Sequence, residues 1–227
     1  MRGLSTFWDF FLPRFCSSCK IKLTPDERIA CNPCLRKIQH TSKERTDSEY
    51  ARKFLDSDII SGFASLYLFE KDGVLQQIIH DLKYEGKFQI GLFLGGQIGS
   101  ELKDILDRWE LDFIAPVPLH HLKRAERGYN QSYYIAKGIR SRLNIPLQNH
   151  LLVRKRFTES QTNLTLIERA ENIHNAFISR KKEIIGGKNI LLVDDVITTG
   201  ATVTECGRVL KDNGAANIFA VSAAIAD

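Results

Sequence analysis

Apolar and polar positions along the chain fall into short blocks that alternate between strand and helix patterns. Ile190 to Val193 is an unbroken apolar run. A run without alternation is the signature of a strand buried on both faces, as in a helix-covered parallel sheet. Asp194 and Asp195 end that run, and Thr198-Thr199-Gly200-Ala201-Thr202 leads into a helix with Val203, Cys206, Val209 and Leu210 on one face. Upstream, Gly62 to Glu70 carries aromatics and leucines at strand-like density, and Lys71-Asp72-Gly73 reads as a turn. Val74, Leu75, Ile78, Ile79 and Leu82 recur at helix spacing, and the pattern stops at Gly86. A second amphipathic helix is predicted through Leu94, Ile98, Leu102, Ile105, Leu106 and Trp109. Phe113 to Pro118 reads as the first central strand and Leu119 to Gly128 as the loop after it. Tyr134, Ile135 and Ile139 mark a helix on the sheet, Leu151 to Val153 a short strand, and Ile218 to Ile225 a last buried strand. This alternation predicts an α/β fold with a parallel sheet flanked by helices.

Leu35 to Asp56 is polar and mixed in charge, and reads as a fraying helix or linker. The expected boundary falls near residues 50 to 58. It divides the chain into a small module with its linker over 1–50 and a main domain over 51–227. With 43% hydrophobic and 26% charged residues the chain is globular rather than disordered. No apolar run reaches membrane-span length. The aromatic opening Phe7 to Pro13 is too short and interrupted for a signal peptide, so a cytoplasmic protein is expected. A net charge of +5 permits nucleic acid as a partner without demanding it.

Cys16, Cys19, Cys31 and Cys34 form two CxxC pairs with eleven residues between them. Four thiolates so spaced suit one tetrahedral zinc, closed to substrate and therefore structural. A disulfide fits a reducing compartment poorly, and tandem pairs outside a βαβ context argue against a redox motif. Two uses of such a module stand side by side: binding nucleic acid or protein, or stapling a segment too small for its own core. Phe7, Trp8, Phe10, Phe11 and Phe15 are expected to pack it onto the main domain, and Cys206 to be a small core residue.

The candidate chemistry gathers around the 194–202 stretch. A glycine-bearing turn at a helix N-terminus offers backbone N–H groups and a partial positive charge to an anion. Thr198, Thr199, Gly200, Ala201 and Thr202 are the predicted phosphate cradle. Asp194 and Asp195 beside it accept hydrogen bonds, which suits a sugar diol on the same ligand. Arg124, Arg127 and Gly128 in the 119–128 loop fit a second anion, although a solvated basic loop explains them as well. Arg156, Gln161, Arg169 and Asn172 lie in a polar, basic stretch suited to a closing lid.

Val193 to Thr202 resembles the phosphoribosyl pyrophosphate (PRPP) motif of type I phosphoribosyltransferases. That resemblance implies that Asp194 and Asp195 hold the ribose hydroxyls, that 198–202 hold the 5′-phosphate, and that Mg²⁺ accompanies PRPP. The wider pattern combines the four cysteines, Pro116-Val117-Pro118-Leu119, Arg127-Gly128-Tyr129-Asn130-Gln131, then Thr158, Gln161, Arg169, Asn172 and Phe177, and the PRPP motif. It resembles the ComF family of bacterial competence proteins. The resemblance implies a phosphoribosyltransferase fold and a part in importing single-stranded DNA, with DNA-uptake proteins as partners. Pentosyl transfer to an unknown nitrogen acceptor, a non-catalytic PRPP-sensing scaffold and nucleobase salvage are the readings it leaves open.

Overall fold

A computed structural model describes residues 13–155 and 176–226. The N-terminal module carries helix α1 (Asn32–Leu35) and is followed by helix α2 (Lys43–Phe54). The chain continues through strand β1 (Gly62–Leu68), helices α3 (Val74–Tyr84), α4 (Gln89–Glu101) and α5 (Lys103–Arg108), and strand β2 (Phe113–Pro116). Helices α6 (His121–Arg127) and α7 (Gln131–Leu143) follow, then strands β3 (Leu152–Arg154) and β4 (Phe177–Ser179). Strand β5 (Asn189–Ile197), helix α8 (Ala201–Asp212) and strand β6 (Asn217–Ile225) complete the described chain. The main sheet is wholly parallel in the order β1-β6-β5-β2, and β3 and β4 form a separate antiparallel pair. Apolar clusters cover both faces of the sheet, as the unbroken apolar runs require.

Four expectations are corrected. The acid pair does not end its strand: β5 runs on to Ile197, because Asp194 and Val196 stay in register with Ser222 and Ala224 of β6. On its other side β5 loses its neighbour, since β2 pairs only as far as Pro116 with Val193. The acids therefore border a step in the sheet. The predicted second helix is two helices, broken at Leu102, whose carbonyl accepts from Ile105 N at 3.0 Å in a tighter turn. The expected 119–128 loop is largely helix α6. It buries none of its residues, so no apolar period announces it; His120 caps its start and Gly128 ends it at φ +76°. Phe15 is 53% exposed and does not pack into the main core, while Phe7, Trp8, Phe10 and Phe11 lie outside the described residues.

The 35–56 stretch resolves into a capped helix across residue 50, with Ser42 accepting from Arg45 N at 3.2 Å and Phe54 buried. The module is not a separate bead. Cys16, Leu23, Ile29 and Ala30 belong to the same apolar cluster as α3 and α4. Its Lys20 lies 3.6 Å from Asp81 of α3, which also takes Lys87 at 2.7 Å. Burial works against the Asp81 charge, but the hydrogen bond from Lys87 and its companions outweigh it and hold the pKa down.

Helix α7 lies directly against α4. A Cβ on Gly95 would stand 2.0 Å from the Ile135 carbonyl oxygen, and one on Gly138 2.5 Å from that of Leu92. Only glycine permits this backbone approach, and it sets where the N-terminus of α7 meets the sheet.

Candidate functional site

The site forms where β2 has stopped and β5 continues. Asp195 is buried at 4% exposure and Asp194 is partly buried. Two like charges so close in a partly dry environment need donors and cations. Asp194 Oδ1 accepts from the Ser132 hydroxyl and from the Asp195 N–H, each at 2.9 Å. Asp195 Oδ1 accepts from Val196 N at 2.9 Å. Its other oxygen, Oδ2, lies 2.8 Å from the Lys83 ammonium, off the hydrogen-bond axis. That oxygen receives charge without an aligned donor, and so keeps acceptor capacity for a ligand.

Ser132 and Lys83 are the site residues that pattern reading missed. Ser132 sits in the first turn of α7, where the Asn130 side chain accepts its N–H at 3.1 Å and donates to Val117 O at 2.9 Å. Tyr129 donates to the carbonyl of Leu82 at the end of α3. The Arg127 to Gln131 run thus fastens α7 to β2 and α3, and aims Ser132 at β5. Lys83 stands in the last turn of α3, before Glu85-Gly86. Its position in sequence offered a weak signal, a cation beside a core stripe at a helix end, and no sign of which sheet edge it faces.

The predicted cradle has the expected local geometry. Gly200 is buried in a left-handed turn at φ +80°. Thr198, Thr199 and Ala201 are exposed, and Thr202 is partly so. Ala201 N donates to Thr199 Oγ1 at 3.4 Å. The twelve-residue α8 begins here, with first-turn N–H groups that an α-helix leaves unpaired. Cradle and acids follow one another on one strand and one turn, so the structure brings these residues together.

Arg127 reaches the same region through α3. Its guanidinium lies 5.2 Å from the centre of the Tyr84 ring and donates to Tyr84 Oη at 3.4 Å. Arg124 is exposed on α6, and Gly128 has open space around its missing Cβ. The lid candidates Arg156, Gln161, Arg169 and Asn172 lie outside the described residues.

The four cysteines converge as well. Their Sγ atoms all lie within 4.8 Å of one another, and Cys19 Sγ and Cys31 Sγ are 3.6 Å apart. Thiolates at about 2.3 Å from a tetrahedral centre stand about 3.8 Å from each other, so this group can hold one metal ion. Cys206 is fully buried in α8, and among the described residues no helix is long and apolar enough to cross a membrane.

A family model for the phosphoribosyl transferase domain matches residues 130–226. Competence protein F of Haemophilus influenzae is 32% identical over 148 residues, which cover 63% of this chain and 65% of that protein. DNA utilization protein YhgH of Escherichia coli strain K12 is 28% identical over 206 residues, or 89% of this chain and 80% of that one. Competence protein ComFC of Bacillus subtilis strain 168 is 25% identical over 203 residues, with the same coverage. The matched domain begins at the cap of α7 and takes in Ser132, both acids and the cradle.

The acid pair has a testable titration. Burial is the largest influence on Asp194, the neighbouring Asp195 charge adds to it, and together they raise its pKa to about 7. The Asp195 N–H and the Ser132 hydroxyl pull the other way. In the folded state Asp194 therefore keeps its proton across a range where the unfolded chain, with an ordinary carboxyl pKa of about 3.9, has lost it. Its contribution to stability falls as pH rises from about 4 to about 7 and is level outside that window. Carbon-detected NMR titration should place the Asp194 midpoint near 7 in wild type. Ser132→Ala should raise it and Asp195→Asn lower it; a wild-type midpoint near the ordinary value of about 3.9 refutes this account.

Proposed function

We propose that this chain, which belongs to the ComF family of competence proteins, binds PRPP with Mg²⁺ and acts in single-stranded DNA uptake. One observation carries the PRPP reading: the carboxylates of Asp194 and Asp195 sit on the strand that turns, at Gly200, into an anion cradle at the N-terminus of α8. The acids are acceptors for the ribose 2′- and 3′-hydroxyls, and the amides and hydroxyls of 198–202 are donors for the 5′-phosphate. Arg127, with Arg124 and Gly128, is assigned to the pyrophosphate end. The paired carboxylates fit Mg²⁺, a hard cation commonly held by one or two carboxylates together with substrate phosphates. When bound it would neutralise charge on the pyrophosphate.

Pentosyl transfer is the reaction these groups serve. A nitrogen acceptor forms its bond to C1 as the C1–oxygen bond to pyrophosphate breaks. The leaving group departs with the electron pair. Asp195, joined by Asp194 once it has lost its proton above about pH 7, offsets the positive charge that develops on the ribose ring, and Arg127 stabilises the departing anion. A scaffold that senses PRPP without turning it over is the alternative outcome, seen as binding with no pyrophosphate release.

A cleft of about 1070 Å³ between the cysteine module and helices α4 and α7 supports the DNA part. Arg28, Lys137 and Arg142 line it together with Phe15 and Phe93, cations for phosphates and rings for bases. We place the protein in the cytoplasm and assign the cysteine cluster one structural zinc.

Calorimetric titration tests the central reading. Wild type should bind PRPP only with Mg²⁺. Asp195→Asn should keep the fold and lose about 1.5–3 kcal/mol of that binding, since it sets a donor against donors. Thr199→Ala should weaken ribose 5-phosphate and PRPP alike, whereas Arg127→Ala should weaken only PRPP and pyrophosphate. No Mg²⁺-dependent binding at millimolar PRPP would overturn the proposal. Elemental analysis should find one zinc per chain, lost in Cys31→Ser; chelator-washed protein without zinc refutes the metal assignment. Binding to a single-stranded oligonucleotide should weaken steeply with salt and fall in Arg142→Ala. A flat salt response, or no binding at low salt, counts against the DNA role.

A further inference from the structure

The matched domain begins at residue 130, yet helix α2, far upstream, lies against the phosphate cradle. Lys53, in its last turn, has a side chain only 4% exposed. Its ammonium donates to the carbonyl oxygen of Thr198 and, at 3.1 Å, to that of Ala226, and it lies 3.1 Å from Glu49 Oε2. Two N–H groups thus meet backbone carbonyls and the charge faces a carboxylate, so the buried cation has a partner on three sides. Next to it, Phe54 fills the space where a Cβ on Gly200 would come within 2.7 Å of the ring.

The peptide between Thr198 and Thr199 is planar and trans, so its C=O and N–H point in opposite directions. Drawing the Thr198 carbonyl down onto Lys53 turns the Thr199 N–H away from α2, out toward the exposed side of the turn. Without that contact the carbonyl is free to rotate toward the anion and repel it. Glu49 supports the arrangement. It is buried, and Arg45 at 2.9 Å and Arg52 at 2.6 Å join Lys53 around it. Arg45, Arg52 and Lys53 thus converge on one carboxylate, which fixes Lys53 at the end of α2. Burial works against the Glu49 charge, but hydrogen bonds from Arg52 and Lys53 prevail and keep its pKa low.

We propose that Lys53 is a positioning residue for the 5′-phosphate cradle, holding the Thr198–Thr199 peptide with its N–H toward the anion; this rests on the PRPP reading above. Helix α2 is then a working part of the site rather than a tether to the cysteine module.

The test separates the two ends of the ligand in the full-length protein. Lys53→Met keeps the length of the side chain and removes its donors. It should weaken ribose 5-phosphate by roughly ten- to a hundredfold, the loss of one charge-assisted contact, and leave pyrophosphate affinity unchanged. Lys53→Arg, which restores charge and donors, should recover part of the loss. A general structural defect would weaken both ligands together, and that result overturns the proposal. Hydrogen exchange on wild type is a second measurement, independent of whether the variants fold. Ribose 5-phosphate should protect the Thr199 N–H, and binding without that protection overturns the proposal. If wild type binds no ribose 5-phosphate, the PRPP reading falls and takes the role of Lys53 with it. If wild type binds and Lys53→Met binds equally well, the role of Lys53 alone falls.

Discussion

The constraint on which this structure turns is the placing of two adjacent carboxylates in a partly buried strand. Water is scarce there, so the protein must supply what solvation would have supplied. It does so from elements distant in sequence. Ser132 reaches Asp194 from the start of α7, and Lys83 reaches Asp195 from the end of α3. Each must arrive within hydrogen-bonding or ion-pair range of β5, and much of the packing reads as a means to that end. The acids remain incompletely satisfied: one oxygen of Asp195 lacks an aligned donor, and Asp194 holds its proton to about pH 7. Incomplete satisfaction at a sheet edge is a property of a binding site more than of a stable core.

The supports of those two helices differ in kind. Helix α7 is placed by backbone contact, with Gly95 and Gly138 allowing α4 and α7 to touch at a distance no side chain permits. Helix α3 is placed by apolar packing and by charge. The cysteine module shares its core, and Lys20 and Lys87 converge on the buried Asp81. A metal that orders the cysteines would therefore also stiffen the helix that carries Lys83 and Tyr84. Stapling and a role at the site are compatible in this architecture.

The sequence by itself determined the parallel α/β class, the glycine turn before α8 and the cysteine cluster, because each is written in contiguous or regularly spaced residues. An unbroken apolar run leaves a strand few alternatives to two-sided burial. A glycine between threonines at a helix start carries its own backbone geometry, and two CxxC pairs carry their own spacing. Helix α6 escaped notice because it buries nothing, and a helix without an apolar face leaves no period to read. The break at Leu102 escaped because both halves keep an apolar stripe across it.

Only the tertiary structure decided which distant residues meet the acids and the cradle. Lys53, Lys83 and Ser132 are small or charged residues at helix ends, of a kind that usually faces solvent, and nothing local separates them from such residues. Their roles depend on β2 stopping at Pro116 while β5 and β6 run on, which opens one side of β5 beyond Val193. They depend equally on α2 crossing beneath the 198–200 turn. Both are long-range facts of register and packing. A pattern along the chain records which face of an element is buried, but not which element buries it.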